Sequence, residues 1–484
     1  GDMQQAWEQP GVRLRAYDAW AMDPEALDDC RQALLQCDFA VILLHGGLSW
    51  FPDFQKLSTA LSESRRFFFH SEIEEENQLI LKKSSLLQEE QDFLRSCFEM
   101  GGVENFKKML VFFQTGERKE PQPVIREGIF GCRPDQEAEV LAQAENCQKP
   151  VVGVLVHYSN CLSDNTGHIE ALVDAIRRKG GFPLPIVSTM QPTTWSDGLL
   201  GVIERYFQMN GRPRIQALIA TSGFSMTLLA SPGMGRHGET GSVFARLGVP
   251  VLQAMVTYLS QEKWEQSFEG MDSMSVGSSV FEPELDGQII TTVIGCTEKQ
   301  QGEHGSVSRT VPLPAQIDLV AGLAVSWGRL QVKSASEKKV AILLHNMPPR
   351  RDMLGCAYGL DAPESACRMI RSLQEKGLFL QRSWENGAEL LRELLNGLTN
   401  ENDTLSYTLM REKSAGVLAG RDYEQWFAGF PEHTRKEMEE RWGQAPGEWL
   451  VLDQQILIPG IQNGNLFVGI QPARETEQEA EAAC

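Results

Sequence analysis

The chain has 484 residues, of which 42% are hydrophobic and 23% charged, and it carries a formal net charge of -20. That length accommodates about three domains, each with a core of its own. The negative charge argues against wrapping nucleic acid or lying on an anionic membrane, and no apolar run approaches spanning length, so neither a nucleic-acid partner nor a membrane span is expected. The ten cysteines lie at scattered positions such as Cys30, Cys97, Cys161, Cys296 and Cys356, with no CxxC pair, which fits reduced thiols in a cytoplasm. No charged-then-apolar leader opens the sequence, and Gly1-Asp2 ahead of Met3 reads as an expression scar.

From Gln5 to about Thr115, helices surround an apolar strand, Phe39 to Leu44, that runs into His45-Gly46-Gly47. Phe67 to Ser71 is a second strand, Ile73 to Glu76 begins an acidic helix, and Gly101-Gly102 allows a turn between two helices. Gly116 to Pro134 reads as a connector and Asp135 to Asn146 as a short polar helix. The first boundary falls between 148 and 149, so the first domain is 1–148.

Val151 to Val156 is a continuous apolar strand ending at His157, followed by the polar loop Tyr158 to His168. The next helix aligns Ile169, Leu172, Val173 and Ile176 and stops at Gly180-Gly181. Phe182 to Val187 then completes a strand, helix, strand unit, whose right-handed crossover makes it parallel with its loop on the crevice side. Ala217 to Thr221 and Val249 to Met255 repeat the strand signal. Leu319, Val320, Leu323, Ala324, Trp327 and Leu330 describe one apolar helix face. The polar run from Ser334 to Lys339 closes the second domain, 149–335.

The third domain, 336–484, opens on Val340 to Leu344, which reads as a parallel, fully covered strand stopped by Pro348-Pro349. It puts His345 at the carboxyl end of a strand, where open α/β sheets hold ligands. Asp361, Pro363 and Glu364 form a helix start of the capping-box kind, with Ala366, Met369, Ile370 and Leu373 on one face. Helices near Ala388 to Leu395 and Glu432 to Trp442 precede strands at Trp449 to Leu452, Gln455 to Ile458 and Leu466 to Ile470. The acidic tail from Arg474 is expected to fray. The fold class is thus multidomain α/β, with open, mostly parallel sheets flanked by helices.

Glu282-Pro283-Glu284-Leu285-Asp286-Gly287 places carboxylates at alternate positions, which in an extended backbone would all face one way. Crowded carboxylates hold a proton or attract a divalent cation, although spacing alone favours a solvated acidic turn. His157 and His345 end strands, where a lone histidine is more often structural. His168 sits in the first turn of a helix, whose dipole favours the neutral, metal-binding imidazole. No HExxH or paired-cysteine motif points to a permanent zinc site. Gly233-Met234-Gly235-Arg236-His237-Gly238 matches GxGxxG but follows Ser231-Pro232 rather than a strand, so a nucleotide-binding reading rests on it alone. No GxxxxGK[ST] occurs, and any ATP hydrolysis falls to a partner.

Several blocks occur in an order that resembles a known family. They are His45-Gly46-Gly47, His70-Ser71 with Glu75-Glu76-Asn77, Gly101 to Asn105, Glu127-Gly128-Ile129, Asp164 to His168, Pro283 to Gly287, His345 to Leu360, and Ile458-Pro459-Gly460 through Phe467 to Pro472. The family is that of CobN, the large subunit of cobaltochelatase, related to the H subunit of magnesium chelatase. The resemblance implies ATP-dependent insertion of a divalent metal, Co2+ or alternatively Mg2+, into a tetrapyrrole such as the corrin precursor hydrogenobyrinic acid a,c-diamide, within cobalamin biosynthesis. AAA+ partner subunits (CobS/CobT-like) would hydrolyse the ATP. It implies Glu284 as proton acceptor or metal-delivering carboxylate, with Asp286 beside it. His157, His168 and His345 would be transient metal contacts, and Arg350, Arg351 and Tyr358 would contact the macrocycle, a guanidinium fork being suited to its peripheral carboxylates. Family chains continue beyond Phe467 to Pro472, whereas Glu475 stands here where a glycine is expected and an acidic tail follows. A separate chain supplying a C-terminal half is therefore a further expected partner. The competing reading is a non-catalytic tetrapyrrole-binding or carrier protein built on the same fold.

Overall fold

The computed structural model describes residues 15, 17, 23–44, 47–51, 53–64, 66–71, 73–122, 127–190, 192, 196–225, 243–302, 305–401, 405–447 and 449–473. The chain divides into two units, Gly1–Val332 and Lys333–Cys484. His45, Gly46, the Gly233–Gly238 loop and the tail from Arg474 lie outside the described residues.

The first part of unit one is a small α/β layer. Strands β1 (Ala40–Leu44) and β2 (Phe67–Ser71) pair in parallel, and helices Pro24–Gln36, Phe54–Ser64, Gln88–Met100 and Val103–Thr115 accompany them. Phe67, Phe68 and Phe69 are fully buried, so both faces of β2 are covered. Gly101 and Gly102 both take positive φ between the last two helices, and a side chain on Gly101 would run into Leu162. That turn therefore needs glycine.

The second part is a seven-stranded sheet. Its strands are β3 (Gly128–Ile129), β4 (Val151–His157), β5 (Phe182–Ser188), β8 (Ala217–Ala220), β9 (Val251–Thr257), β10 (Ile289–Gly302) and β11 (Gly305–Pro312). The short β6 (Gln208–Met209) and β7 (Arg212–Pro213) form a separate ribbon. The spatial order is β11-β10-β9-β8-β4-β5-β3. Neighbours from β10 to β5 pair in parallel, while β11 and β3 close the edges antiparallel. β4 is buried along its length up to His157, as a strand covered on both faces must be. One face packs on Ile169, Leu172 and Ile176 of helix Gly167–Arg178 and on Val320, Ala321 and Ala324 of helix Pro314–Val332. The other packs on Val202, Tyr206 and Phe207.

Helix Pro314–Val332 corrects one expectation. Val320 and Ala324 are buried, but Leu319 is 61% exposed, and Leu323 and Leu330 are also exposed. The three leucines lie together on one face, and only the adjoining face with Val320, Ala321 and Ala324 fits against the sheet.

In unit two, β12 (Val340–Leu344), β17 (Leu466–Ile470) and β16 (Gly460–Asn463) form a sheet in the order β12-β17-β16. β12 pairs parallel with β17, as expected, but it is an edge strand and is not fully covered, because Ala341 and Leu343 face outward and Leu343 is 64% exposed. An apolar run of five does not by itself say how many faces are covered. Helices Ala362–Glu375 and Gly387–Asn396 cover the inner face through Ile370, Leu390 and Leu394. Asp361 caps the first of these by accepting from the Glu364 amide at 3.0 Å, while the Glu364 carboxylate accepts from the Gly387 amide at 2.7 Å. A second sheet joins β13 (Gly416–Ala419), β15 (Gln455–Ile458) and β14 (Val451–Leu452) in that order. No helix among the described residues is long and apolar enough to cross a membrane.

Candidate functional site at the strand-order reversal

From β4 the chain moves outward to β5, and from β8 it moves the opposite way through β9 to β10, so strand order reverses between β4 and β8. Ligands of open α/β sheets bind at the carboxyl ends of strands flanking such a reversal. Here His157 ends β4, level with Ser188 of β5. Beside it the chain leaves β8 through Thr221 to Ser225, anchored by the Thr221 hydroxyl donating to the Leu155 carbonyl at 2.8 Å. The His157 ring caps the short helix Tyr158–Leu162, its Nδ1 accepting from the Ser159 amide at 3.3 Å. Burial lowers the pKa of His157, which keeps its imidazole neutral and able to ligate.

The acidic motif meets this edge in a form different from the one expected. Residues Glu282–Leu285 are helical, not extended, and they follow a wide π turn, Gly277–Phe281, that itself continues helix Ser273–Val276. Pro283 lies in the first turn of its segment, where a missing amide costs nothing. The alternation rule for a strand therefore does not apply, and the carboxylates diverge. Glu284 is exposed, and no described residue pairs with its carboxylate. Asp286 is 3% exposed and accepts from the Ser225 hydroxyl at 3.2 Å. Glu282 accepts from the Ser225 amide at 3.1 Å.

The other end of this helical stretch is fixed to β9. Asp272 caps it, accepting from the Ser275 amide at 3.0 Å and from the Tyr258 amide at 3.3 Å just past β9. Burial pulls the Asp272 carboxyl upward, but hydrogen bonds from Ser275 outweigh it and leave the pKa lowered. The helix thus runs from just beyond the carboxyl end of β9 to the loop after β8, and Asp286 is followed within three residues by Ile289, which opens β10 level with Leu252 near the amino end of β9.

His168 is elsewhere. It is 2% exposed, in the first turn of helix Gly167–Arg178, near Gly295 of β10. Its Nδ1 has no hydrogen-bond partner among the described residues. Burial lowers its pKa to about 4, so desolvation rather than the helix dipole is the main cause of the neutrality expected from sequence. Among the described residues no group of three or more His, Cys, Asp and Glu side chains is gathered as a metal cage.

His345, Arg350, Arg351 and Tyr358 belong to unit two. His345 is exposed, with Nδ1 2.8 Å from Gln471 Oε1. The Arg350 guanidinium forks onto Asp352, with Nε donating to Oδ1 at 2.9 Å, and that bond, ahead of opposing burial, holds the Asp352 carboxyl below its ordinary range. The Arg351 amide donates to Glu401 at 2.9 Å, and its guanidinium reaches the Leu395 carbonyl. Tyr358 is fully exposed. Beneath this loop, buried Asn346 donates to the Arg350 carbonyl at 2.7 Å and accepts from Asn400 at 2.7 Å.

Residues 95–484 match the family described as CobN/Magnesium Chelatase. The chain belongs to the CobN/magnesium chelatase family. Among its relatives, an uncharacterized protein of Methanocaldococcus jannaschii is 30% identical over 388 residues, covering 77% of this chain and 31% of that protein. The aerobic cobaltochelatase subunit CobN of Pseudomonas aeruginosa is 29% identical, over 77% of this chain and 29% of its own. The catalytic subunit of cobaltochelatase from Mycobacterium tuberculosis shares the fold with a TM-score of 0.62 at 22% identity, covering 98% of this chain and 38% of that one. The chain thus spans about 30% of the length of the curated relatives it matches.

Nothing in the sequence of this CobN-family chain singles out Ser225 or Asn400, and Glu127 and Glu282 stand out only as members of their blocks. Glu127, in the Glu-Gly-Ile block, is buried and accepts from the Ser196 hydroxyl at 2.7 Å. A lone serine or asparagine in a loop carries no signal for such a partner, because the partner is 69 residues away for Glu127 and 54 for Asn346.

Proposed function

We propose that this chain is the tetrapyrrole-holding part of a metal chelatase large subunit, in which Glu284 takes a proton from the ring as the metal enters. Insertion requires removal of two ring N–H protons and of water from the metal, and a carboxylate suits the first task. The observation that carries the reading is the exposed Glu284 carboxylate, with no partner among the described residues, on a helical segment fastened to the loop that leaves β8 beside the reversal point, in a chain of the CobN/magnesium chelatase family. Buried Asp286 and half-buried Glu282 anchor that segment through Ser225. His157, kept neutral by burial, is the candidate metal contact, a nitrogen donor at the carboxyl end of β4. The substrate metal is Co2+ or Mg2+, the macrocycle a corrin precursor or porphyrin, and ATP is hydrolysed by AAA+ partner subunits, with the rest of the large subunit completing the enzyme.

The test is Glu284→Gln in the assembled enzyme. Macrocycle binding should persist while insertion falls by about a hundredfold or more, the range for losing a general base. Insertion at the wild-type rate overturns the assignment. The alternative reading is a tetrapyrrole carrier without chelation, built on the same fold. Binding without metallated product, when ATP, metal and partner subunits are all supplied, would select it.

A further inference from the structure

The helix that carries the acidic motif also carries apolar side chains that face solvent. Phe281 is 63% exposed and Leu285 61% exposed, and their i, i+4 spacing puts them on one face. Glu284, three residues after Phe281, joins that face. Phe224, 56% exposed, is brought alongside, since its amide donates to the Ser278 carbonyl at 2.6 Å. Gly223 makes this approach feasible, for a side chain there would lie 2.9 Å from the same carbonyl. Phe224 holds a φ of 70°, a region bulky residues avoid. The wide π turn sits directly behind Phe281, and such turns concentrate at functional sites.

We infer that Phe224, Phe281 and Leu285 form a platform for one face of a flat, apolar macrocycle, with Glu284 at its margin toward the ring's N–H centre. The inference rests on the chelatase reading above and names the surface that reading leaves open. Large apolar groups exposed together mark binding surfaces, and two of these are aromatic rings able to stack on a π face. The occupant follows from charge. Glu284 stands within the strip without a partner among the described residues, and a protein surface closing over it would bury an uncompensated carboxylate. A ring that offers N–H donors or a metal at its centre, and apolar area around it, complements both features.

The test is an absorbance titration of the full chain with free-base deuteroporphyrin IX, comparing wild type with Phe224→Ala/Phe281→Ala and Phe281→Leu. Both sites are exposed, and circular dichroism checks that each variant is folded. The double variant should bind about tenfold more weakly or worse, the scale of losing aromatic stacking, while Phe281→Leu retains part of the affinity. If wild type binds and the double variant matches it, the platform is wrong and the chelatase reading stands. If wild type binds no porphyrin, the reading fails and the platform with it. Loss of ATPase-subunit association with an unchanged titration would make the strip a protein contact and overturn the inference.

Discussion

The Ser225 hydroxyl donates to the buried Asp286 carboxylate at 3.2 Å. Because the Ser225 amide also donates to Glu282, one residue after β8 fastens both ends of the short helix that presents Glu284. The acidic motif is therefore held by the loop of a different strand, and its geometry depends on that loop.

Ser225→Ala should cost about 1.5–3 kcal/mol, the scale of a hydrogen bond to a carboxylate, and should slow insertion more than it weakens macrocycle binding. Thermal unfolding together with insertion rates checks it. Insertion unchanged at that stability loss would show that Asp286 does not position Glu284.

His168 links stability to acidity. Its ordinary value of 6.5 falls to about 4 in the folded chain, so between those values the unfolded state binds the extra proton. Stability is fully present above 6.5 and is lost as pH falls toward 4, by about 3 kcal/mol in all. His168→Leu should flatten that part of the stability profile, as measured by urea unfolding across the acid range.

Glu127 works in the opposite sense. Burial raises its pKa, with Ser196 opposing, so the folded state holds the proton more tightly than the unfolded one. Its contribution is greatest at low pH and is lost as pH rises through the folded value. Glu127→Gln should therefore gain stability relative to wild type toward neutral pH, with the difference vanishing in acid. A parallel pH series of denaturation midpoints decides this.

In unit two, Asn346→Ala removes the donor to the Arg350 carbonyl and the acceptor for Asn400. Asn346 and Asn400 are buried whereas Arg350 is exposed, so the expected cost is about 1–3 kcal/mol. By contrast, Leu343→Thr on the open face of β12 should change stability by less than about 0.5 kcal/mol. Denaturant titrations of the two variants should separate clearly.

Local pattern made most of the elements legible. Val151 to His157 and the periodic helix after it were readable because a covered parallel strand and an amphipathic helix each imprint a period or a run. The acidic motif was readable as chemistry but not as shape, since Pro283 suits both a strand edge and a first helical turn, and only Ser225, 57 residues from Glu282, fixes the choice. Likewise Val340 to Leu344 announced a strand, yet its exposure depends on which neighbours arrive, and no local residue reports that. Phe224 and Phe281 are apolar by type, and no neighbouring residue signals that they are exposed. Their exposure comes from a strained loop and a widened turn that leave no sequence period.

The placing of β17 governs the timing of folding in unit two. It is the middle strand of its sheet, between β12 and β16, and the contact of His345 with Gln471 beside it spans 126 residues. During synthesis, β12 can find no partner in this sheet until Leu466 to Ile470 have left the ribosome. Until then the backbone edge of β12 is open, a delay of the kind that slows folding and invites strand pairing between chains. Any shortening that removes Leu466 to Ile470 takes away the strand on which both others depend.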